Sequence, residues 1–459
     1  VCILSSAFSA TAADAVAGWR LNGVGRYPDA TPPLGWSESS NVAWNTRLDK
    51  WSNATAVPVG DRVFTCAEPN KVLCLSANSG EVLWSREVPR TAGMTEKEAA
   101  NFQERRKRHT ELSREIDKVR REHRKIKRAV EKEKATEDMK AELPGLEARL
   151  TQLKEACRPF EDARQPATHG RNGYTSSTPV SDGTRVFVLM GDGMAGCFDR
   201  DGNAVWMRHV ANPSHGWGHC ASPVLVDGKL IVHIGDNVYG IEADTGKTRW
   251  TVRSRAKWGT PAPVELNGTQ AVLTAAGTLI RTSDGHVLGN AVGDLPWTSP
   301  LVVEDVVYQM DANGARAVRL VPEGEDAVKV EELWKTAIKK DRYYASPVLH
   351  NGLVYAVTQK GVLSVVDAET GDLCYEQRIG ELKGTVYPSI CLAGGRLYLS
   401  AEGGSTVVLD PGREYKLVGV NELTSFRSSP VFVKDRIYIR TLKGLVCLGA
   451  EEAASRPAQ

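Results

Sequence analysis

The side chains best suited to chemistry are aromatic or cationic, and they recur at one kind of position. Arg171, Tyr174, His215, Trp217, His219, Trp258, Trp297, Tyr343, Tyr344, Tyr387 and Arg427 stand just before short apolar segments that contain proline. Flat ring faces with a few histidines and arginines suit a ligand funnel, in which the rings bury a ligand and the polar groups orient it. The same residues also suit packing between neighbouring elements and plugging of a channel, and both readings stand. His215 and His219 bracket Gly216-Trp217-Gly218, but no carboxylate pattern accompanies them, so no metal set is assigned. No Gly-x-Ser-x-Gly elbow, phosphate-binding loop or His-Glu-x-x-His pair occurs, and no catalytic residue is assigned.

The nine cysteines include no Cys-x-x-Cys and no adjacent pair, which removes metal-site spacing. Most lie in apolar runs, such as Val72-Leu73-Cys74-Leu75, and read as buried thiols. Cys66 and Cys74 could close a hairpin disulfide in an oxidising compartment.

What must position these residues is a repeat. A Pro-apolar core recurs as Ser177-Thr178-Pro179-Val180, Ala221-Ser222-Pro223-Val224, Pro261-Ala262-Pro263-Val264, Thr298-Ser299-Pro300-Leu301, Ala345-Ser346-Pro347-Val348, Val386-Tyr387-Pro388-Ser389 and Ser428-Ser429-Pro430-Val431. Taken in that order, Pro179, Pro223, Pro263, Pro300, Pro347, Pro388 and Pro430 are 44, 40, 37, 47, 41 and 42 residues apart. Ala56-Val57-Pro58-Val59 is a weaker first copy. Each copy continues through a polar turn, a run of β-formers such as Leu230-Ile231-Val232, and a third apolar run. A glycine turn and an aromatic follow, as in Ala77-Asn78-Ser79-Gly80 to Trp84 and Ala243-Asp244-Thr245-Gly246 to Trp250. Four strands in about 40 residues is the size of a propeller blade, which cannot bury its faces alone. Eight copies predict an all-β, eight-bladed β-propeller of four-stranded blades. The eighth copy stops after Gly444-Leu445-Val446-Cys447-Leu448 without a fourth strand. Asn41-Val42-Ala43-Trp44-Asn45 is an orphan strand upstream of the first. Pairing the two would close the ring and remove two open edges.

The glycine-to-tryptophan segments resemble the tryptophan-docking repeat of the pyrroloquinoline-quinone dehydrogenases, and also the propeller lipoprotein family of the outer-membrane β-barrel assembly machinery. Gly18-Trp19-Arg20, Gly23-Val24-Gly25-Arg26-Tyr27-Pro28, Trp36-Ser37 and Trp44 resemble the opening of exported quinoprotein-like propellers. The resemblance covers roughly residues 18–90 and 165–450 and is specific for fold. For the dehydrogenases it implies a calcium or lanthanide ion, an acidic base and, in many, an adjacent-cysteine disulfide. This sequence has no Cys-Cys, and Asp192, Asp236 and Asp311 read as readily as turn aspartates. No cofactor is expected; pyrroloquinoline quinone with calcium is the alternative.

The repeat is interrupted after Trp84. Leu112, Ile116, Val119, Ile126 and Val130 follow a heptad seam in which His123 fills the skipped position, and Leu146, Leu150, Leu153 and Cys157 form a second seam. Pro144-Gly145 between them reads as the turn of an inserted coiled-coil hairpin, with Pro144 starting the second helix. Residues 105–128 hold 12 Lys and Arg against 4 Asp and Glu. That is either a basic arm for a protein or other anionic partner, or a solvated face with paired charges.

The expected organisation is a signal-peptide remnant over 1–17, the closing strand and first blade over 18–90, the hairpin over 91–165, seven blades over 166–450 and a tail over 451–459. Ala10-Thr11-Ala12 and Ala13-Asp14-Ala15 offer cleavage patterns, which predicts export to the periplasm or beyond; Cys2 is an alternative lipidation site. No run approaches the roughly 20 apolar residues of a membrane span, and an exported chain is not expected to meet nucleic acid. The sequence points first to a non-enzymatic scaffold, then to a quinone- or metal-dependent dehydrogenase, or to a carbohydrate-binding module using the aromatic funnel.

Overall fold

The computed structural model describes residues 16–21, 23–290 and 292–449. Cys2, most of the expected leader and the 451–459 tail lie outside them. The chain divides into two compact units. One contains the described residues up to Arg90 and from Ala167 onward; the other is Thr91–Pro166.

The first unit is an eight-bladed propeller of antiparallel sheets. Seven blades span 57–87, 180–209, 224–253, 262–289, 301–336, 348–378 and 391–422. The eighth is Val431–Val433, Arg436–Arg440 and Gly444–Leu448, completed by Val42–Arg47. Trp44 pairs with Cys447 in that final sheet, as the orphan strand predicted. There is no single central core. Apolar side chains are shared between neighbouring blades, as where Leu189, Ala195 and Cys197 meet Leu230, Val232 and Ile241. This is why the middle strands read as unbroken apolar runs.

Five tryptophans tie each of five blades to the next. The indole N–H of Trp44 donates to the Ala77 carbonyl at 3.0 Å, and those of Trp84, Trp206, Trp250 and Trp334 donate to Arg200, Ala243, Thr282 and Ala368 at 2.8–2.9 Å. Each ring lies on a glycine of the neighbouring blade. At Gly80, φ is +73° and an added Cβ would sit 2.5 Å from the Trp44 ring, so the position excludes a side chain twice over. A one-residue bulge precedes the aromatic in the outermost pairing, as between Val42 and Trp44 and between Ala204 and Trp206. The bulge turns the ring out of its own sheet toward the next.

A ring of hydroxyls surrounds the channel. The backbone N–H of Thr55 donates to Thr178 Oγ1, Thr178 to Ser222, Ser222 to Thr260, Thr260 to Ser299, Ser299 to Ser346, Ser346 to Ser389 and Ser389 to Ser429, all at 2.9–3.1 Å. This ring corrects the repeat alignment. The residues following the hydroxyls are Pro179, Pro223, Pro261, Pro300, Pro347, Ile390 and Pro430, so Pro263 and Pro388 are each displaced by two positions. A two-residue slip keeps strand parity, which is why the pattern concealed it.

The N-terminal segment straps the channel. Ala17 bridges Ser181 of the second blade, and Arg26–Tyr27 adds a fifth, parallel strand to the seventh blade against Leu392 and Ala393. Between them Arg20 is fully buried and donates to the carbonyls of Pro347 at 2.9 Å and Ile390 at 2.7 Å. Cys66 and Cys74 are free. Cys66 faces Val72 and Cys74 faces Phe64, so the two thiols are diagonal neighbours on the ladder. Diagonal pairs stand about 7–8 Å apart, beyond disulfide reach.

The second unit is a pair of antiparallel helices, α1 (Glu96–Glu131) and α2 (Glu137–Cys157), followed by a 3-10 turn, Arg158–Ala163. Thr95 and Glu98 form a capping box on α1. The turn falls at 132–136, not at Pro144-Gly145. Glu133 adopts φ +55° after α1 and Thr136 caps α2, which leaves Pro144 inside the second helix. An interior proline costs about 3 kcal/mol; packing of Leu146, Leu150 and Leu153 against α1 offsets it.

Candidate functional site

The strands deliver the segments that precede them to one end of the channel, around a cavity of about 550 Å³. Arg171, His215, Trp217, Trp258, Trp297, Tyr344, Tyr387 and Arg427 line it together with the hydroxyl ring. Their rings form a partly stacked wall. Tyr344 and Tyr387 stack at 5.2 Å, Trp297 meets Tyr344 edge-on at 5.7 Å, and His215 meets Trp258 edge-on at 5.2 Å. Trp217 stacks on His169 at 3.6 Å and is half exposed.

Three expected residues do not face the cavity. Tyr343 is buried and its hydroxyl donates to the Lys339 carbonyl at 2.8 Å. It alternates with Arg342 and Tyr344, which do line the cavity, so only one of two adjacent tyrosines points inward. Tyr174 is held from behind: Glu68 Oε1 accepts its backbone N–H at 2.8 Å and that of Thr175 at 2.7 Å. His219 is buried, with Nε2 at 2.8 Å from the Ala221 carbonyl, and does not join His215 in a metal pair.

Burial pushes the His219 imidazole down to about 4 from an ordinary value of 6.5. Between those values the unfolded chain binds a proton that the folded chain refuses. Stability is therefore complete above about pH 6.5 and falls on acidification, by up to about 1.4 kcal/mol per pH unit. His219→Gln keeps a donor for the Ala221 carbonyl and removes the titration. Its thermal midpoint is expected to fall less steeply between pH 6.5 and 4, retaining the shares due to His209, pushed down to about 4 by burial, and to His233 and His350, which burial also lowers. An unchanged slope would contradict this origin.

Sequence reasoning missed Trp19, Asn53, Asn172 and Arg342. Trp19 comes from the strap, which no periodicity marks. Arg342 was legible from its place beside Tyr343-Tyr344. Its guanidinium lies 5.4 Å from the Trp297 ring centroid and donates to the Tyr344 hydroxyl at 3.4 Å.

The electrostatics are one-sided. Three arginines line the cavity, and no Asp or Glu does so among the described residues. Glu402 stands behind, accepting from Arg171 at 3.4 Å and Arg427 at 3.1 Å. Each hydroxyl of the ring accepts a backbone N–H and keeps its own proton to donate. Calcium takes six to eight oxygen donors, carboxylates prominent among them. This lining offers hydroxyls, amides, indoles and guanidinium groups, so it does not fit a calcium-bound quinone. What it can do is hold an anionic or acceptor-rich ligand against flat apolar faces.

The family described as outer membrane protein assembly factor BamB matches residues 32–100, 191–325 and 326–458. A relative from Moranella endobia (strain PCIT), outer membrane protein assembly factor BamB, is 24% identical over 312 residues, 59% of this chain and 74% of that protein. Among solved structures, BamB from Moraxella catarrhalis superposes with a TM-score of 0.55 at 13% identity, covering 89% of this chain and 98% of that one. A europium-containing methanol dehydrogenase superposes at 0.57 with 10% identity, covering 94% and 90%. At such identities the structural likeness shows the fold alone.

Proposed function

This chain belongs to the family of outer membrane protein assembly factor BamB, and from that premise we propose that it is an exported, periplasmic scaffold that binds partners rather than transforming them. The observation that carries the reading is the channel mouth, where three arginines and a wall of aromatic rings converge with no lining carboxylate among the described residues. Such a surface offers donors, positive charge and apolar faces, and no paired acid and base. An acidic segment of a protein partner suits it. The basic face of α1 over 105–128 is a second contact of the same sign. No helix among the described residues is long and apolar enough to cross a membrane.

A glutamate-rich peptide added to the purified chain is expected to quench tryptophan fluorescence. Each charge-assisted contact contributes about 1.5–3 kcal/mol, so Arg171→Ala with Arg427→Ala should weaken binding at least about tenfold. Equal affinity in the double variant would refute the docking role. Absorbance of the chain supplied with pyrroloquinoline quinone and calcium is expected to be that of the separate components.

A carbohydrate-binding reading has its own support in the stacked Tyr344 and Tyr387 beside Trp297. Glycan-array binding that disappears in Trp258→Ala or Trp297→Ala would favour it.

A further inference from the structure

The apolar seam of α1 contains a residue that does not belong in one. Buried positions step from His109 through Leu112, Ile116 and Val119 to Ile126, with His109 only 6% exposed. The seam of α2 ends on a second polar-capable side chain, Cys157, 3% exposed. The chain then folds back through the 3-10 turn, whose first residues are Arg158 and Pro159. Arg105 of α1 fastens that turn, donating to the Pro159 carbonyl at 2.7 Å and to Asp162 at 2.6 Å. The turn in this way delivers Glu161 to the same place. His109 Nε2 lies 3.6 Å from Glu161 Oε1, and the ligand atoms of His109, Cys157 and Glu161 all fall within 4.8 Å of one another.

We infer that the base of the helical hairpin is a zinc site with His109 Nε2, Cys157 Sγ and Glu161 Oε1 as ligands. Imidazole nitrogen, thiolate and carboxylate are the three donor types that zinc takes, and the sulfur argues against magnesium and calcium. With bonds of about 2.0–2.3 Å, tetrahedral ligand atoms stand some 3.3–3.8 Å apart. Small side-chain rotations would therefore close the set. Thiolate and carboxylate together neutralise the ion, which suits a site whose other ligands are buried. Ser113, one turn along α1, places Oγ 3.4 Å from His109 Nδ1. A hydroxyl there can accept the Nδ1 proton, the arrangement that leaves Nε2 for the metal. Glu161 is half exposed, so the fourth position opens to solvent and takes water. Arg164 approaches the other carboxylate oxygen, Glu161 Oε2, at 3.8 Å and leaves Oε1 to the ion. The zinc would clamp the N-terminal half of α1, the C-terminal end of α2 and the 3-10 turn that follows it.

Cobalt(II) titration of the full chain, first stripped with a chelator, tests this. One equivalent is expected to raise a near-ultraviolet sulfur-to-cobalt charge-transfer band and the strong visible bands of tetrahedral cobalt, and zinc should abolish both. Cys157→Ser should lose the charge-transfer band. Glu161→Gln, an exposed change that leaves the seam packing alone, should keep that band and bind zinc at least about tenfold more weakly. Helix content by circular dichroism shows whether each variant keeps its hairpin. Absence of the sulfur band in the parent chain overturns the site. So does zinc affinity that is the same in the parent and in Glu161→Gln, which would mean adventitious binding elsewhere.

Discussion

Replacing Arg440 by Met is expected to lower the free energy of unfolding by about 3–5 kcal/mol, read from the shift of the urea midpoint. Arg440 is fully buried in the eighth blade. One terminal nitrogen donates to Thr441 and Gly444 carbonyls at 2.6 and 3.0 Å, and the other to Lys50 and Cys66 at 2.7 and 3.3 Å. Those acceptors belong to the eighth blade, to the connection from the closing strand, and to the first blade. Met matches much of the volume but offers no donor, so the Thr441, Lys50 and Cys66 carbonyls lose the guanidinium, while Gly444 keeps the backbone N–H and hydroxyl of Thr441. Burial pulls the guanidinium down to about 10, because desolvation disfavours its charged form. A loss below about 1 kcal/mol would mean that water replaces the side chain.

The second large effect is expected at Trp44→Ala, which should also cost about 3–5 kcal/mol, from the cavity and the lost indole bond together. Trp44 packs with Leu73, Leu75, Tyr438 and Leu445 between the last blade and the first. Gly80→Ala approaches the same contact from the other side, because its new Cβ would strike the ring at 2.5 Å. If the ring closes there, the two changes combined should cost less than their sum, since either one alone already breaks the junction. Strict additivity would show that the two sites are independent.

The blades and their closure were legible because both depend on period. Glycine turns and apolar runs recur often enough to survive local noise, and the orphan strand carrying Trp44 fits the one copy that lacks a fourth strand. What failed was local. Pro263 and Pro388 passed for Pro261 and Ile390 because a slip of two keeps every side chain on its face, and only the hydroxyl bonds reveal the true equivalence. Pro144 looked like a helix start, although Thr136 and Glu133 had already made the turn. At the cavity, aromatic character picked out Trp258, Trp297 and Tyr387 but could not separate Tyr343 from Tyr344, nor see that His219 turns inward. Trp19 and Arg20 were marked only by resemblance to a family's opening, and Arg440 by nothing; no periodicity showed their roles. They sit at unique places in a repeated fold, where charge is buried against backbone carbonyls that no sequence pattern displays.

The pairing of Val42–Arg47 with Gly444–Leu448 has a kinetic consequence. Partners about 400 positions apart give very high contact order, and such contacts form late. A chain emerging from a ribosome or a translocon would carry its early strand unmatched, with apolar blade faces still wet, until the closing residues arrive. Losing those few residues would therefore cost far more than one strand, turning a ring without ends into an open stack with sticky edges, prone to aggregate and open to proteolysis.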